Sequence, residues 1–216
     1  IWHAYERNGV PVGEPDFRDA YVFAERTLGK DDIIKPTDTF FHTLDVKLDL
    51  QFSYLRDNNI WQCAESERRE KHDAVLKDLY DNLQATVKHS HDVLLALRER
   101  GCRMVLVSNF YGNVETVLRE MQLDDLFVRV IESAAVGIRK PDPRIFLLGV
   151  EALGVPAGEV TIVGDNYEKD IFPGHEAGCH TVWLRGESWK DEAVDGKAAD
   201  VQILDIEEIL SPSFPF

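Results

Sequence analysis

The chain has 216 residues, 44% apolar and 29% charged, which gives room for one large domain or two small ones in an ordinary globular protein. Its formal charge is −15, from 39 acidic and 24 basic residues. That balance argues against a nucleic-acid backbone or an anionic membrane as partner, and no apolar run approaches the roughly 18 residues of a membrane span.

The first residues, Ile1-Trp2-His3-Ala4-Tyr5, carry no signal-peptide pattern. No strand pattern occurs before about Lys88. Phe17, Ala20, Tyr21, Ala24 and Leu28 recur at helical spacing, and Gly29 is expected to stop that helix. Phe40 to Leu55 has a mixed pattern read as helix, and Glu67 to Val87 is helical on Ala74, Val75, Leu79 and Leu83. These segments predict a small helical unit over residues 1–87, with its apolar stripes turned into a core. Trp2, Tyr5, Phe40, Phe41 and His42 suit either that core, the simpler reading, or the lining of a substrate cavity. His89 and His91 flank Ser90 and are read as a solvated hinge, since no third metal ligand stands near them.

From Ser90 the pattern changes. A helix is expected from His91 to Arg100, closed by Gly101, then a strand from Arg103 to Val107 and a helix from Asn113 to Met121. A strand from Phe127 to Ile131 and a helix from Pro143 to Leu153 lead to the apolar strand Val160 to Val163, expected to be buried on both faces. A helical segment running to Ala177, strands Thr181 to Leu184 and Val201 to Leu204, a helical turn Ile206 to Leu210 and an irregular tail complete the chain. Alternating strands and helices specify right-handed βαβ units and a parallel sheet, so the class is α/β, with a Rossmann-like core over residues 88–216. Cys63, Cys102 and Cys179 lie far apart without CxxC spacing, which fits reduced thiols in a cytoplasmic protein. Cys102 and Cys179 sit beside strands and are expected to pack as small apolar groups.

Three strand ends carry residues suited to chemistry. Ser108 follows the first strand in V-L-V-S-N-F, where a hydroxyl and the next backbone N–H groups can cradle an anion; an ordinary turn serine fits as well. No His-Asp arrangement near it would make it a nucleophile. Lys140 lies in G-I-R-K-P-D-P-R-I-F, ahead of a helix for which Asp142 is the natural N-cap and Pro143 the natural first residue. A cation beside a helix N-terminus costs about 0.3–1 kcal/mol, which an anion facing both would explain. Arg139 is expected to be solvated. In V-T-I-V-G-D-N-Y-E-K-D, Asp165, Asn166 and Asp170 supply hard oxygen ligands suited to Mg²⁺ at the end of a parallel strand; alternatively Asp165 caps a turn and Asp170 a helix.

Ser108, Lys140-Pro141 and Gly164-Asp165-Asn166-Tyr167-Glu168-Lys169-Asp170 resemble, in order and spacing, the second, third and fourth motifs of the haloacid dehalogenase-like hydrolases. The segment His175 to Leu184 is also similar to that family, and the resemblance covers about residues 88 to 204. The helical N-terminal unit looks like the inserted cap of the phosphatase-like branch. The resemblance implies that Ser108 and the N–H of Asn109 hold the phosphoryl oxygens, and that Lys140 neutralises phosphate and attacking carboxylate. It further implies that Asp165 ligates Mg²⁺, with Asn166 supporting it, and that Asp170 orients Lys140 or supports the metal shell.

The family's first motif is an Asp-x-Asp that supplies the nucleophile and the general acid–base, and no such pair follows an apolar run before the cap. In the family its strand lies between those ending at Ser108 and Val163. The resemblance therefore implies a natural protein beginning about ten to thirty residues before Ile1. Residues 1–216 alone are expected to hydrolyse nothing by the covalent route. The function expected of the whole protein is Mg²⁺-dependent hydrolysis of a small phosphorylated metabolite, by a monomer or weak dimer. A 2-haloacid dehalogenase, phosphonatase or phosphomutase chemistry, and an inactive phosphate-binding relative are the alternatives.

Overall fold

Helix formation in the first third follows its caps as much as its apolar spacing. The computed structural model describes residues 1–186 and 196–215. A short helix not foreseen in the sequence, α1 (Trp2–Arg7), comes first. Gly13, extended, and Pro15 in the first turn open α2 (Glu14–Lys30) a turn earlier than its apolar residues suggest. Gly29 does not end it: it is not among the left-handed glycines, so it cannot form a C-cap there, and the helix runs on to Asp31. Thr39 accepts the N–H of His42 and opens α3 (Phe40–Asp57).

The fourth helix, α4 (Glu65–Glu99), runs unbroken through residues 88–90. That corrects two expectations, the hinge around Ser90 and the separate helix His91 to Arg100. The stretch holds no Gly or Pro before Gly101, so nothing local interrupts the backbone ladder.

Two compact units are distinguished, Ile1–His89 with Asn113–Met121, and Ser90–Gly112 with Gln122–Phe216. The first is built around aromatic rings. Tyr5 meets Phe17 edge-on at 4.8 Å between centroids and Phe52 at 5.4 Å. Such pairs contribute about 0.5–1.5 kcal/mol each beyond burial. Leu48, Leu55, Trp61 and Val75 pack in the same cluster, with Trp2 and Phe40 half-buried against it. Phe41 is exposed and rests edge-on against Tyr80; His42 is exposed. In the core the Tyr5 hydroxyl donates to Gln51 Oε1 at 2.8 Å, and burial pushes the phenol well above its usual pKa.

The second unit holds the strands. After β1 (Val105–Ser108) come α5 (Val114–Glu120), β2 (Arg129–Glu132), α6 (Ser133–Val136), α7 (Arg144–Leu153) and β3 (Thr161–Gly164). A π-helical turn, Tyr167–Ile171, precedes α8 (Phe172–Glu176), β4 (His180–Leu184) and β5 (Val201–Ile203). Of these helices α5 belongs to the first unit. Every strand pair is parallel, as the βαβ pattern predicts.

The strands form two sheets, β1-β2 and β3-β4-β5. Among the described residues no pairing joins β1 to β3, which matches the gap that the resemblance implies between the strands ending at Ser108 and Val163. The burial expected of Val160 to Val163 is corrected: Val163 is 42% exposed, and β3 has a strand neighbour on one side only. One apolar cluster spans both sheets. Ile131, Ile145 and Phe146 form its buried centre, with Val105 and Val107 from β1 and Ile162 from β3 against it. Gly149 of α7 lies against β1, where a Cβ would meet Val107 Cγ2 at an ordinary contact distance of 3.5 Å.

The three cysteines are free. Cys179 is buried and its thiol is pushed up by that burial. Cys102 is exposed, which corrects its expected packing: it follows Gly101 in the turn before β1 and ahead of the apolar cluster.

Candidate functional site

Strands end where their apolar residues run out, and in the second unit both β1 and β3 end at the residues of interest. Ser108 closes β1, and Gly164 closes β3 directly before Asp165. Lys140 reaches this rim from the loop between α6 and α7. Its Nζ donates to Asp170 Oδ1 at 2.6 Å and to the Val107 carbonyl at 3.3 Å. In the alternation of a parallel strand, the Met104 carbonyl faces β2, so the Val107 carbonyl lies on the opposite, unpaired edge of β1. The ammonium thus serves a backbone acceptor that no strand serves.

The Lys140–Asp170 pair is well buried, with side chains 16% and 7% exposed. Charges withdrawn from water to this degree must be paired to be tolerated. An ammonium has three donors, and among the described residues the protein uses two of them.

Asn109 clamps the lysine from its backbone side. Its Nδ2 donates to the Lys140 carbonyl at 2.9 Å, and its Oδ1 accepts the Lys140 N–H at 2.9 Å. Ser108 is half-buried, and among the described residues its hydroxyl has no partner.

On the β3 side, Asp170 Oδ2 accepts the N–H of Asn166 at 3.1 Å. Asp170 therefore spans from Lys140 to the turn that carries Asp165 and caps no helix. The capping falls to Asn166, whose Oδ1 accepts the N–H of Lys169 at 2.9 Å. Gly164 makes the approach possible: a Cβ there would stand 2.7 Å from Asp170 Cγ. The Asp165 carboxylate is exposed, and no donor among the described residues reaches it, whereas its carbonyl accepts the Trp183 indole N–H at 3.1 Å.

Segments that lie 31 and 30 residues apart in sequence are thus joined in one chain of contacts, from Asn109 to Lys140 to Asp170 and on to Asn166, with Ser108 and Asp165 next to its two ends. Arg139 is exposed. Helix α7 starts at Arg144, with Pro143 rather than Asp142 at its cap position. Asp142 Oδ1 accepts the Arg144 N–H at 3.0 Å from one residue further out, and the Arg144 guanidinium holds its carboxyl below the usual range.

Glu132 was not foreseen. It closes β2 beside Ser108 in register, is 7% exposed, and accepts the Gly112 N–H at 2.6 Å. Gly112 adopts φ of 100°, so this carboxylate fixes the loop after Ser108 at a position suited to glycine. No local signal in the sequence marks it, because its partner lies 20 residues away.

A model of the haloacid dehalogenase-like hydrolase family matches residues 5–178. The chain is similar to a glyceraldehyde 3-phosphate phosphatase of Pyrococcus abyssi, 37% identical over 103 residues that cover 46% of this chain and 42% of that protein. A phosphoserine phosphatase of Thermus thermophilus is 35% identical over 118 residues, covering 54% and 46%. The chain spans about half the length of the curated relatives it matches. Among solved structures, a phosphatase of the same family from Thermococcus onnurineus superposes with a TM-score of 0.54 at 21% identity, covering 89% of this chain and 86% of that one. A dehalogenase superposes with a TM-score of 0.61 at 18% identity, covering 96% and 88%. At these identities the solved structures show the fold alone.

Proposed function

The chain belongs to the haloacid dehalogenase-like hydrolases, and on that footing we propose that the whole protein is a Mg²⁺-dependent phosphate monoester hydrolase acting on a small phosphorylated metabolite. The observation that carries the proposal is the Lys140 ammonium, fixed by Asp170 and the Val107 carbonyl with one donor left for an anion. In this reading the Ser108 hydroxyl and the N–H of Asn109 bind phosphoryl oxygens, and Lys140 balances their charge. Asp170 is a positioning residue that aims Lys140. These groups are held before substrate arrives, so little reorganisation accompanies charge development at the phosphoryl group.

The residues fit a hard cation in one respect that matters: Asp165 offers a free, exposed carboxylate at the strand end. Asp165 would hold Mg²⁺, with Asn166 and Asp170 bracing the turn behind it. When bound, the ion would screen phosphate charge and align the phosphoryl group for in-line attack. A free metal-ligating carboxylate favours phosphatase over 2-haloacid dehalogenase chemistry, which needs no metal.

The route proposed is covalent, through an aspartyl-phosphate. The attacking carboxylate is proposed to be the Asp of the family's first motif, while Asp170 and Glu132 serve donors and Asp165 the cation. Residues 1–216 on their own should then bind phosphate without turning it over. Residues 1–87 are proposed as an α-helical cap and 88–216 as the catalytic core. The names of the phosphatases similar to this chain favour a small phosphorylated metabolite as substrate. Three free cysteines suit the cytoplasm, and no helix among the described residues is long and apolar enough to cross a membrane.

Turnover of p-nitrophenyl phosphate by the full-length protein, with and without EDTA, tests the proposal. Hydrolysis that stops with EDTA and returns with Mg²⁺ is expected. Hydrolysis indifferent to EDTA would remove the role given to Asp165.

A further inference from the structure

A second cluster of titratable groups lies in the first unit, built from residues that phosphate chemistry leaves unused. Asp45 and Asp49 stand one turn apart on α3, and His72 comes from α4. The His72 side chain is 8% exposed. Its Nε2 lies 3.6 Å from Oδ1 of Asp45, 3.6 Å from Oδ1 of Asp49 and 3.3 Å from the Asp45 carbonyl. Its Nδ1 lies 3.2 Å from Oδ1 of Asp73. Phe52 meets the imidazole edge-on and closes its apolar side.

Both ring nitrogens therefore face oxygens that only accept. A neutral imidazole has one N–H and one lone pair, so one nitrogen is left pointing its lone pair at oxygen in a buried setting. Either a second proton or a metal ion resolves that conflict. The distances favour the metal. N–H···O bonds run about 2.7–3.2 Å, whereas two ligand atoms each about 2.1 Å from a tetrahedral ion stand about 3.4 Å apart. Nε2 to each carboxylate matches the second spacing. Asp73 then accepts Nδ1–H and leaves the Nε2 lone pair for the ion, the arrangement that orients a metal-bound histidine.

The geometry points to a divalent transition-metal site formed by Asp45, Asp49 and His72, with Zn²⁺ as its ligand class. The ligand atoms of the three residues lie within 4.8 Å of one another. One nitrogen with two carboxylates suits Zn²⁺ better than Mg²⁺, which prefers oxygen alone. Asp45 and Asp49 are 38% and 63% exposed, so a fourth position is open to water. The neighbouring cation, Arg68, is attracted to Asp49 but hydrogen-bonded to Glu65. An ion held here ties α3 to α4 and, by binding the folded state, stabilises the first unit.

The test is a Zn²⁺ titration of the whole chain by calorimetry in excess Mg²⁺, which fills any all-oxygen site. Saturable binding of one Zn²⁺ per chain is expected, with a rise in melting temperature and, on substituting Co²⁺, the intense visible bands of a four-coordinate site. His72→Gln should abolish binding, and Asp73→Asn should weaken it about tenfold. Asp49→Asn, an exposed change, keeps the fold and should also lose binding even where His72→Gln does not fold. Undiminished Zn²⁺ affinity in Asp49→Asn, or an imidazolium signal for His72 that Zn²⁺ leaves unmoved, overturns the site.

Discussion

Lys140→Met and Asp170→Asn, made singly and together, isolate the ion pair on which the candidate site is built. Asp170→Asn leaves an ammonium 16% exposed with no counter-charge, although the amide oxygen can still accept from it. Lys140→Met leaves a carboxylate 7% exposed whose remaining donor is the Asn166 N–H. Breaking a buried pair costs about 3–5 kcal/mol; the residual hydrogen bonds put each single change near the lower end, about 3 kcal/mol. Once one partner is gone the other contributes little, so the double variant should cost no more than either single. The coupling energy is then about 3 kcal/mol. Urea unfolding followed by circular dichroism reads all three, with an unchanged denaturant slope as the check that compactness is preserved. Single costs that add in the double variant to within about 0.5 kcal/mol would refute the reasoning, because they would mean the two charges do not depend on one another.

Gly164→Ala should drive Asp170 away from Lys140, since the new methyl overlaps its side chain, and cost about 1–3 kcal/mol together with weakened phosphate binding in calorimetry. Tyr5→Phe should destabilise by about 1–3 kcal/mol by stripping Gln51 Oε1 of the one donor it has among the described residues, as read in urea melts. The same variant carries a pH signature. Burial raises the folded phenol's pKa, so its contribution is complete below the unfolded value of about 10 and is lost as pH climbs above it. Between about pH 9 and 11 the urea midpoint of Tyr5→Phe should therefore fall less than that of the wild type. Removing Mg²⁺ with EDTA should weaken inorganic phosphate binding at least tenfold, and Asp165→Asn should not recover when Mg²⁺ is restored.

The strands of the second unit were legible because each is a short apolar run closed by a turn, a local signal. Ser108 and Asp165 could be singled out for the same reason, since each directly follows such a run. What joins them was not local. Lys140 meets Asp170 across 30 residues, and Glu132 meets Gly112 across 20, so chain order alone could not pair them. The long helix α4 reads as two because two histidines and a serine look like a loop, whereas backbone propensity without Gly or Pro carries the helix through. The gap between β1 and β3 was legible only through the resemblance, which places a further strand between them; a run of valines alone does not say how many neighbours it has. The grouping of Asp45 and Asp49 with His72 is not local either: His72 is buried on another helix and meets Asp45 across 27 residues.

The central claim is that the groups at the ends of β1 and β3 hold phosphate and a divalent ion side by side. Phosphorus relaxation of inorganic phosphate bound to the chain, with paramagnetic Mn²⁺ in place of Mg²⁺, measures that proximity directly. Strong relaxation enhancement is expected in the wild type, lost in Asp165→Asn while phosphate still binds, and absent in Lys140→Met because phosphate no longer does. Enhancement of equal size in the wild type and Asp165→Asn would contradict the claim.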